Sequence, residues 1–162
     1  MIIAVLFLYV KRKTQMIVHN VVIGKQADNQ NSQGEQKKIY VGWADSDIRY
    51  RDMLINYRQR WNFYSNNLFD FLTSDRSGLE LEQWKQIAEK KIRNSDGVMI
   101  LVSKHTETDY GTAWEIDCAL LNNVPIVGVD IRKFADGNIP KKLVGKMTRY
   151  GWEWFTEFID GL

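Results

Sequence analysis

One segment of the sequence combines residue types and spacing that suit a specific chemistry. It is Asp109-Tyr110-Gly111-Thr112-Ala113-Trp114-Glu115-Ile116, leading through Cys118-Ala119-Leu120 into Pro125-Ile126-Val127-Gly128-Val129. Read as the start of a helix that follows a buried strand, it puts Glu115 within the first turn or so. There the partial positive charge of the helix end favours an ionised carboxylate. The small Ala119, one turn on, leaves space beside it. A fixed anion in a cleft suits reactions that pass through a sugar oxocarbenium ion, because it stabilises the developing positive charge and can bind ribose hydroxyls. The plainer alternative is that Glu115 only complements the helix dipole.

Other polar residues fall into three groups, each directly after an expected strand. They are Asp45-Ser46-Asp47, Thr73-Ser74-Asp75 and Ser103-Lys104-His105. Loops at the carboxyl ends of parallel strands are where ligands bind in open α/β sheets, so the three groups could converge on one cleft. Asp and Ser after a strand are also common helix N-caps, and capping or turn duty is the expectation for Asp47, Ser74 and Asp75 taken singly. His105 reads as a solvated loop residue. Two tryptophans flank the proposed site. Trp43 or Trp114 could stack on a flat base, although a helical Trp in a small domain is usually core, which is the reading favoured for Trp114. If the cleft is a site, Glu115 is its candidate catalytic residue, with Trp43, Asp45, Asp75, Ser103, Tyr110 and Trp114 as candidate substrate contacts, and the dipole role for Glu115 stays open on the local pattern.

The elements that must position these residues alternate as β–α–β units do. Ile39 to Trp43 is strand-like, and Arg49 to Arg60 carries Met53, Leu54 and Tyr57 at helical spacing. Leu68 to Leu72 is a weaker strand, and Leu79 to Arg93 is a strong amphipathic helix with Leu81, Trp84, Ile87, Ala88 and Ile92 on one face. Val98 to Val102 is apolar throughout, which places it at the sheet centre, buried on both faces. A helix from about Thr112 to Leu121, a fourth strand from Pro125 to Ile131 and a last helix from Trp152 to Ile159 complete the pattern. Right-handed crossovers then give a short parallel sheet with helices on both faces.

Composition narrows the function classes. The 162 residues are 44% hydrophobic and 26% charged, as in an ordinary globular domain. A net charge of +2, with the basic residues scattered among acidic ones, gives no footprint for a nucleic-acid backbone. The single cysteine, Cys118, can form no intramolecular disulfide, and no His/Cys cluster has metal-ligand spacing, so a reducing cytoplasm and no metal are expected.

Residues 1–36 read separately from the domain expected over 37–162. Ile2 to Val10 is an apolar run, followed by Lys11, Arg12 and Lys13, and is too short to span a bilayer. Its charges follow rather than precede it, unlike a signal peptide. It reads as an extension, with a membrane-contacting tail as the alternative, and a start at Met16 would remove it. Lys25 to Gln36 has the polar composition of a linker.

The order Lys38-Ile39-Tyr40-Val41, Phe69-Asp70-Phe71, Lys91-Ile92-Arg93-Asn94-Ser95-Asp96 and Trp114-Glu115-Ile116 resembles the TIR-like domain of bacterial Thoeris anti-phage proteins. The closing Ile139-Pro140, Tyr150-Gly151-Trp152-Glu153-Trp154 and Phe158-Ile159 are similar to the ends of those domains. The resemblance spans about Lys37 to Leu162. It implies a flavodoxin-like TIR fold that senses infection and turns NAD into a cyclic or conjugated ADP-ribose signal for a partner effector. NAD would then be a substrate, with no separate cofactor, and Glu115 the catalytic glutamate. Members usually carry a Trp four residues before that glutamate, where this chain has Gly111, and often a Ser, Phe or His after the first strand, where it reads Gly42-Trp43-Ala44-Asp45.

Two other readings stand beside this one. Asp-x-Gly-Thr-Ala-x-Glu at Asp109 to Glu115 is also similar to nucleoside 2-deoxyribosyltransferases, which use a similarly placed glutamate as nucleophile in base exchange. A TIR-like domain can also act without catalysis by stacking on other copies, and Trp61, Phe63 and Tyr64 are candidate interface aromatics for such self-association, although covering the sheet edge is the reading favoured for them.

Overall fold

A computed structural model of the chain describes residues 36–58 and 65–162. The apolar N-terminal run, most of the linker, the expected helix end at Arg60 and the aromatics Trp61, Phe63 and Tyr64 lie outside the described residues.

Five strands form one sheet: β1 (Lys37–Gly42), β2 (Phe69–Leu72), β3 (Gly97–Val102), β4 (Ile126–Asp130) and β5 (Met147–Arg149). Their order is β2-β1-β3-β4-β5, and every neighbouring pair is parallel. This is the doubly wound, flavodoxin-like order, whose topological switch point lies between β1 and β3. Among the described residues four α-helices accompany the strands, with none between β4 and β5: α1 (Ile48–Asn56), α2 (Leu81–Arg93), α3 (Tyr110–Leu121) and α4 (Trp152–Asp160).

The alternation of side chains along each strand builds two cores, one on each face of the sheet. Ile39, Val41, Met99 and Leu101 point to one side, where Leu54 of α1 and Phe155 and Ile159 of α4 cover them. Tyr40, Val98, Ile100 and Val102 point to the other, against Trp84, Ala88 and Ile92 of α2 and Ile116 and Ala119 of α3. β3 is buried at all six positions, which explains its unbroken apolar sequence. Trp84, Ala88 and Ile92 recur every four positions and face the sheet, whereas Leu81 and Ile87, expected on the same face, are exposed, and Lys90, Lys91 and Arg93 sit in the last turn, where cations complement the helix dipole.

Some boundaries differ from the sequence reading. β1 ends at Gly42 rather than Trp43, and α3 starts at Tyr110 rather than Thr112 because Asp109 caps it. β5 was not expected at all. It is a three-residue edge strand, and Gly128 admits it closely, since a methyl group there would lie 2.4 Å from Met147 Sδ. Among the described residues no helix is long and apolar enough to cross a membrane.

Candidate active site

Glu115 is the sixth residue of α3 and is 1% exposed. Its side chain reaches the carboxyl end of β1, at the switch point of the sheet. Tyr40, buried on the same face, donates its Oη–H to Glu115 Oε1 at 2.7 Å. Oε2 is buried with no hydrogen-bond partner. Gly42 makes this approach possible, because a methyl group at that position would lie 2.4 Å from Oε2.

The electrostatics of the unliganded protein favour a neutral carboxyl rather than the fixed anion expected. Burial raises the Glu115 pKa to about 8, outweighing the Tyr40 hydrogen bond and the Arg76 charge, which act to lower it. At neutral pH the carboxyl is mostly protonated. The helix dipole is not the controlling influence, since α3 begins two residues earlier than expected and Glu115 falls in its second turn. Burial, followed by the neighbouring Glu115, also raises the Tyr40 phenol well above its ordinary value.

Arg76 was not among the residues singled out from the sequence, yet it ties the site together. Its Nη1 binds both Asp109 oxygens, at 2.8 and 3.0 Å, and reaches Asp45 Oδ1 at 3.2 Å. Its Nη2 donates to the Trp43 carbonyl at 2.7 Å and to Thr112 Oγ1 at 3.3 Å. Asp109 accepts in addition from the Thr112 N–H at 2.7 Å, the side-chain cap of α3. Burial acts to raise the Asp109 pKa, but these hydrogen bonds and the Arg76 charge leave it below the usual carboxylate range. Arg76 follows directly on Thr73-Ser74-Asp75, so attention to the next residue after the second strand would have found it.

The candidate contact residues divide into several roles. Asp45 is exposed and joins the site through Arg76. Asp75 accepts from the Ser77 N–H at 2.9 Å, a turn role, as expected of it. Ser103 donates its hydroxyl to buried Asp47 at 2.5 Å, joining the loops after β3 and β1. Asp47 stands at the N-cap position of α1 but makes no cap bond, so its expected capping role gives way to this tie. Ser74 Oγ is buried without a partner. Trp43 is buried in the core with the Arg51 guanidinium 4.5 Å over its ring. Trp114 is half-buried and packs edge-on against Trp84 with centroids 5.3 Å apart. Tyr110 is exposed, with Lys85 Nζ 5.2 Å from its ring centre. Among the described residues no group of three His, Cys, Asp or Glu side chains is placed to hold a metal.

A comparison with known families decides the lineage. The family described as Thoeris protein ThsB, TIR-like domain, matches residues 39–136. The chain belongs to this family. No curated protein sequence matches it. Among solved structures it is similar to a 2-desoxiribosyltransferase from Leishmania mexicana, at 15% identity and a TM-score of 0.43. That likeness covers 58% of this chain and 64% of the transferase. A prokaryotic SEFIR domain gives 11% identity, a TM-score of 0.48 and coverage of 72% and 82%. A 3-dehydroquinate dehydratase-like protein from Bifidobacterium longum gives 15%, 0.46, and 78% and 94%. Identities this low carry no information about activity. In this TIR-like chain the residue four before the glutamate is Gly111, and the space that a side chain there would fill holds Arg76 instead. A methyl group on Gly111 would lie 2.3 Å from the guanidinium carbon.

Proposed function

We propose that this Thoeris TIR-like protein cleaves NAD and converts it into an ADP-ribose-derived signal that activates a partner effector, with Glu115 as the catalytic carboxylate. The observation that carries the reading is a carboxyl group buried at the sheet's switch point, held through one oxygen by Tyr40 and with the other oxygen unpartnered. That second oxygen has no partner within the protein and would be the one to meet a ligand once the site opens. In NAD the bond between ribose C1′ and the nicotinamide nitrogen breaks with its electron pair going to the ring, which leaves neutral. Little acid catalysis is needed, and the remaining task is to stabilise the ribosyl cation until water or an internal nucleophile captures it.

Glu115 does this only when ionised. A cationic nicotinamide ring or ribosyl group beside it favours the charged form, so the substrate itself would draw the proton off. A resting protein with a neutral, enclosed carboxyl would be quiet until it opened. Residues 37–162 would form the signalling domain, acting in the cytoplasm, where NAD is available and Cys118 stays reduced. The same enclosure of Glu115 favours a second reading, a non-catalytic TIR-like module that works by association with other copies.

The test is release of nicotinamide from NAD by the full chain, alone and in extracts of phage-infected and uninfected cells. Release, with a product that activates the effector, supports the enzyme. No NAD cleavage under any of these conditions, with infection-dependent self-association instead, supports the module. Exchange of bases on deoxynucleosides without NAD cleavage replaces both readings.

A further inference from the structure

We propose that Arg76 is a positioning residue that closes the Glu115 site, by fastening the end of β1 to the start of α3 and filling the space beside Glu115 left open by Gly111. Its importance for turnover rests on the reading of Glu115 given above, but its control of access does not.

Three observations support this role. Gly111 stands four residues before Glu115, so the two occupy neighbouring positions on one helix face, and a helical side chain covers the turn N-terminal to its own Cα. Glu115 therefore runs toward Gly111, where atoms of Arg76 lie 2.3 to 2.6 Å from the position a methyl group would take. A side chain at 111 would have filled this space, and the guanidinium fills it instead.

The partners of Arg76 come from the two elements that enclose the carboxyl. Trp43, whose carbonyl it binds, follows Gly42, the residue against Oε2. Asp109 and Thr112 open the helix that carries Glu115. A planar guanidinium can hold acceptors on both walls at once, which a lysine ammonium at the same site does less well.

The clasp can also be reached from solvent. Arg76 is 18% exposed on its side chain, and one of its partners, Asp45, is 73% exposed. Tyr40 and Glu115 are buried, so the guanidinium is the part of the site that solvent reaches. Arg76 faces Asp109 and Asp45, and both it and these two carboxylates act on the protonation of Glu115, Arg76 in the opposite sense to the carboxylates. Withdrawal of the guanidinium would open a path to the carboxyl and remove a nearby positive charge together.

The experiment is carbodiimide labelling of carboxyl groups in the full chain, mapped by mass spectrometry, for wild type, Arg76→Ala and Gly111→Ala. The glycine variant keeps the arginine but pushes its guanidinium off its partners, and one methyl group fills less space than the guanidinium it displaces, so both variants break the clasp. Buried Asp47, held by Ser103, serves as the internal control for general loosening. Glu115 labelling should rise about tenfold or more in both variants, the scale of one lost charge-assisted hydrogen bond, with Asp47 unchanged. Unchanged Glu115 labelling in both, or a rise in step with Asp47, would overturn the proposal. Absence of NAD cleavage in every form would remove the enzymatic reading while leaving the labelling result to decide the clasp.

Discussion

Glu115 gives the protein a pH dependence of stability opposite to that of an ion-paired carboxylate. Its pKa is raised from 4.5 to about 8 by burial in the folded state. Below pH 4.5 both folded and unfolded chains hold the proton, and the folded state keeps its full advantage. Between 4.5 and about 8 the unfolded chain has lost the proton while the folded chain still binds it. Stability therefore falls as pH rises, by about 1.4 kcal/mol for each pH unit at the steepest. Above about 8 both states are ionised and this slope ends. Glu115→Gln keeps the shape and the acceptor for the Tyr40 hydroxyl but removes the titration. Relative to the variant, wild type should lose up to about 4 kcal/mol on going from mildly acidic to mildly alkaline conditions. Urea unfolding of both proteins across this range, read as midpoint shifts at constant slope, measures it. Parallel pH profiles for the two would refute a buried, neutral Glu115.

Three further substitutions probe the surroundings of that carboxyl. Tyr40→Phe deletes the donor to Oε1 and leaves Glu115 with two unpaired oxygens, so urea unfolding should show a loss of about 1–3 kcal/mol. Gly42→Ala sets a methyl group 2.4 Å from Glu115 Oε2 and 2.7 Å from Ile100 Cδ1. It should cost about 1–3 kcal/mol by overpacking, and any NAD turnover should fall with it. Trp43→Ala empties a buried core position and should cost about 3–5 kcal/mol in thermal or urea unfolding, an outcome that ring stacking on a ligand alone would not produce.

The parts of this molecule that could be read from sequence are those set by local pattern. β3 announced itself by an unbroken apolar run, and α2 by a stripe at helical spacing, because each is defined by its own residues. β5 escaped because three residues with polar Thr148 and Arg149 carry no period, and its place depends on Gly128 of the neighbouring strand. At the site, the position of Glu115 near the switch point was legible from the order of the elements. Its protonation was not, since burial is imposed by Tyr40 and Gly42, more than seventy residues away. Arg76 was missed for a similar reason. Its partners Trp43, Asp109 and Thr112 lie 33 to 36 residues away on either side, and only the fold brings them together.

The central claim is that Glu115 provides the charge on which ribosyl chemistry depends, and comparing nicotinamide release from NAD by wild type and by Glu115→Gln tests it most directly. Both full-length chains should be assayed under the condition that activates wild type, after urea unfolding has established that the variant is folded. Loss of one preorganised charge at the reacting centre should lower turnover by about two orders of magnitude or more in the variant. Equal release by the two folded proteins would contradict a catalytic role for Glu115.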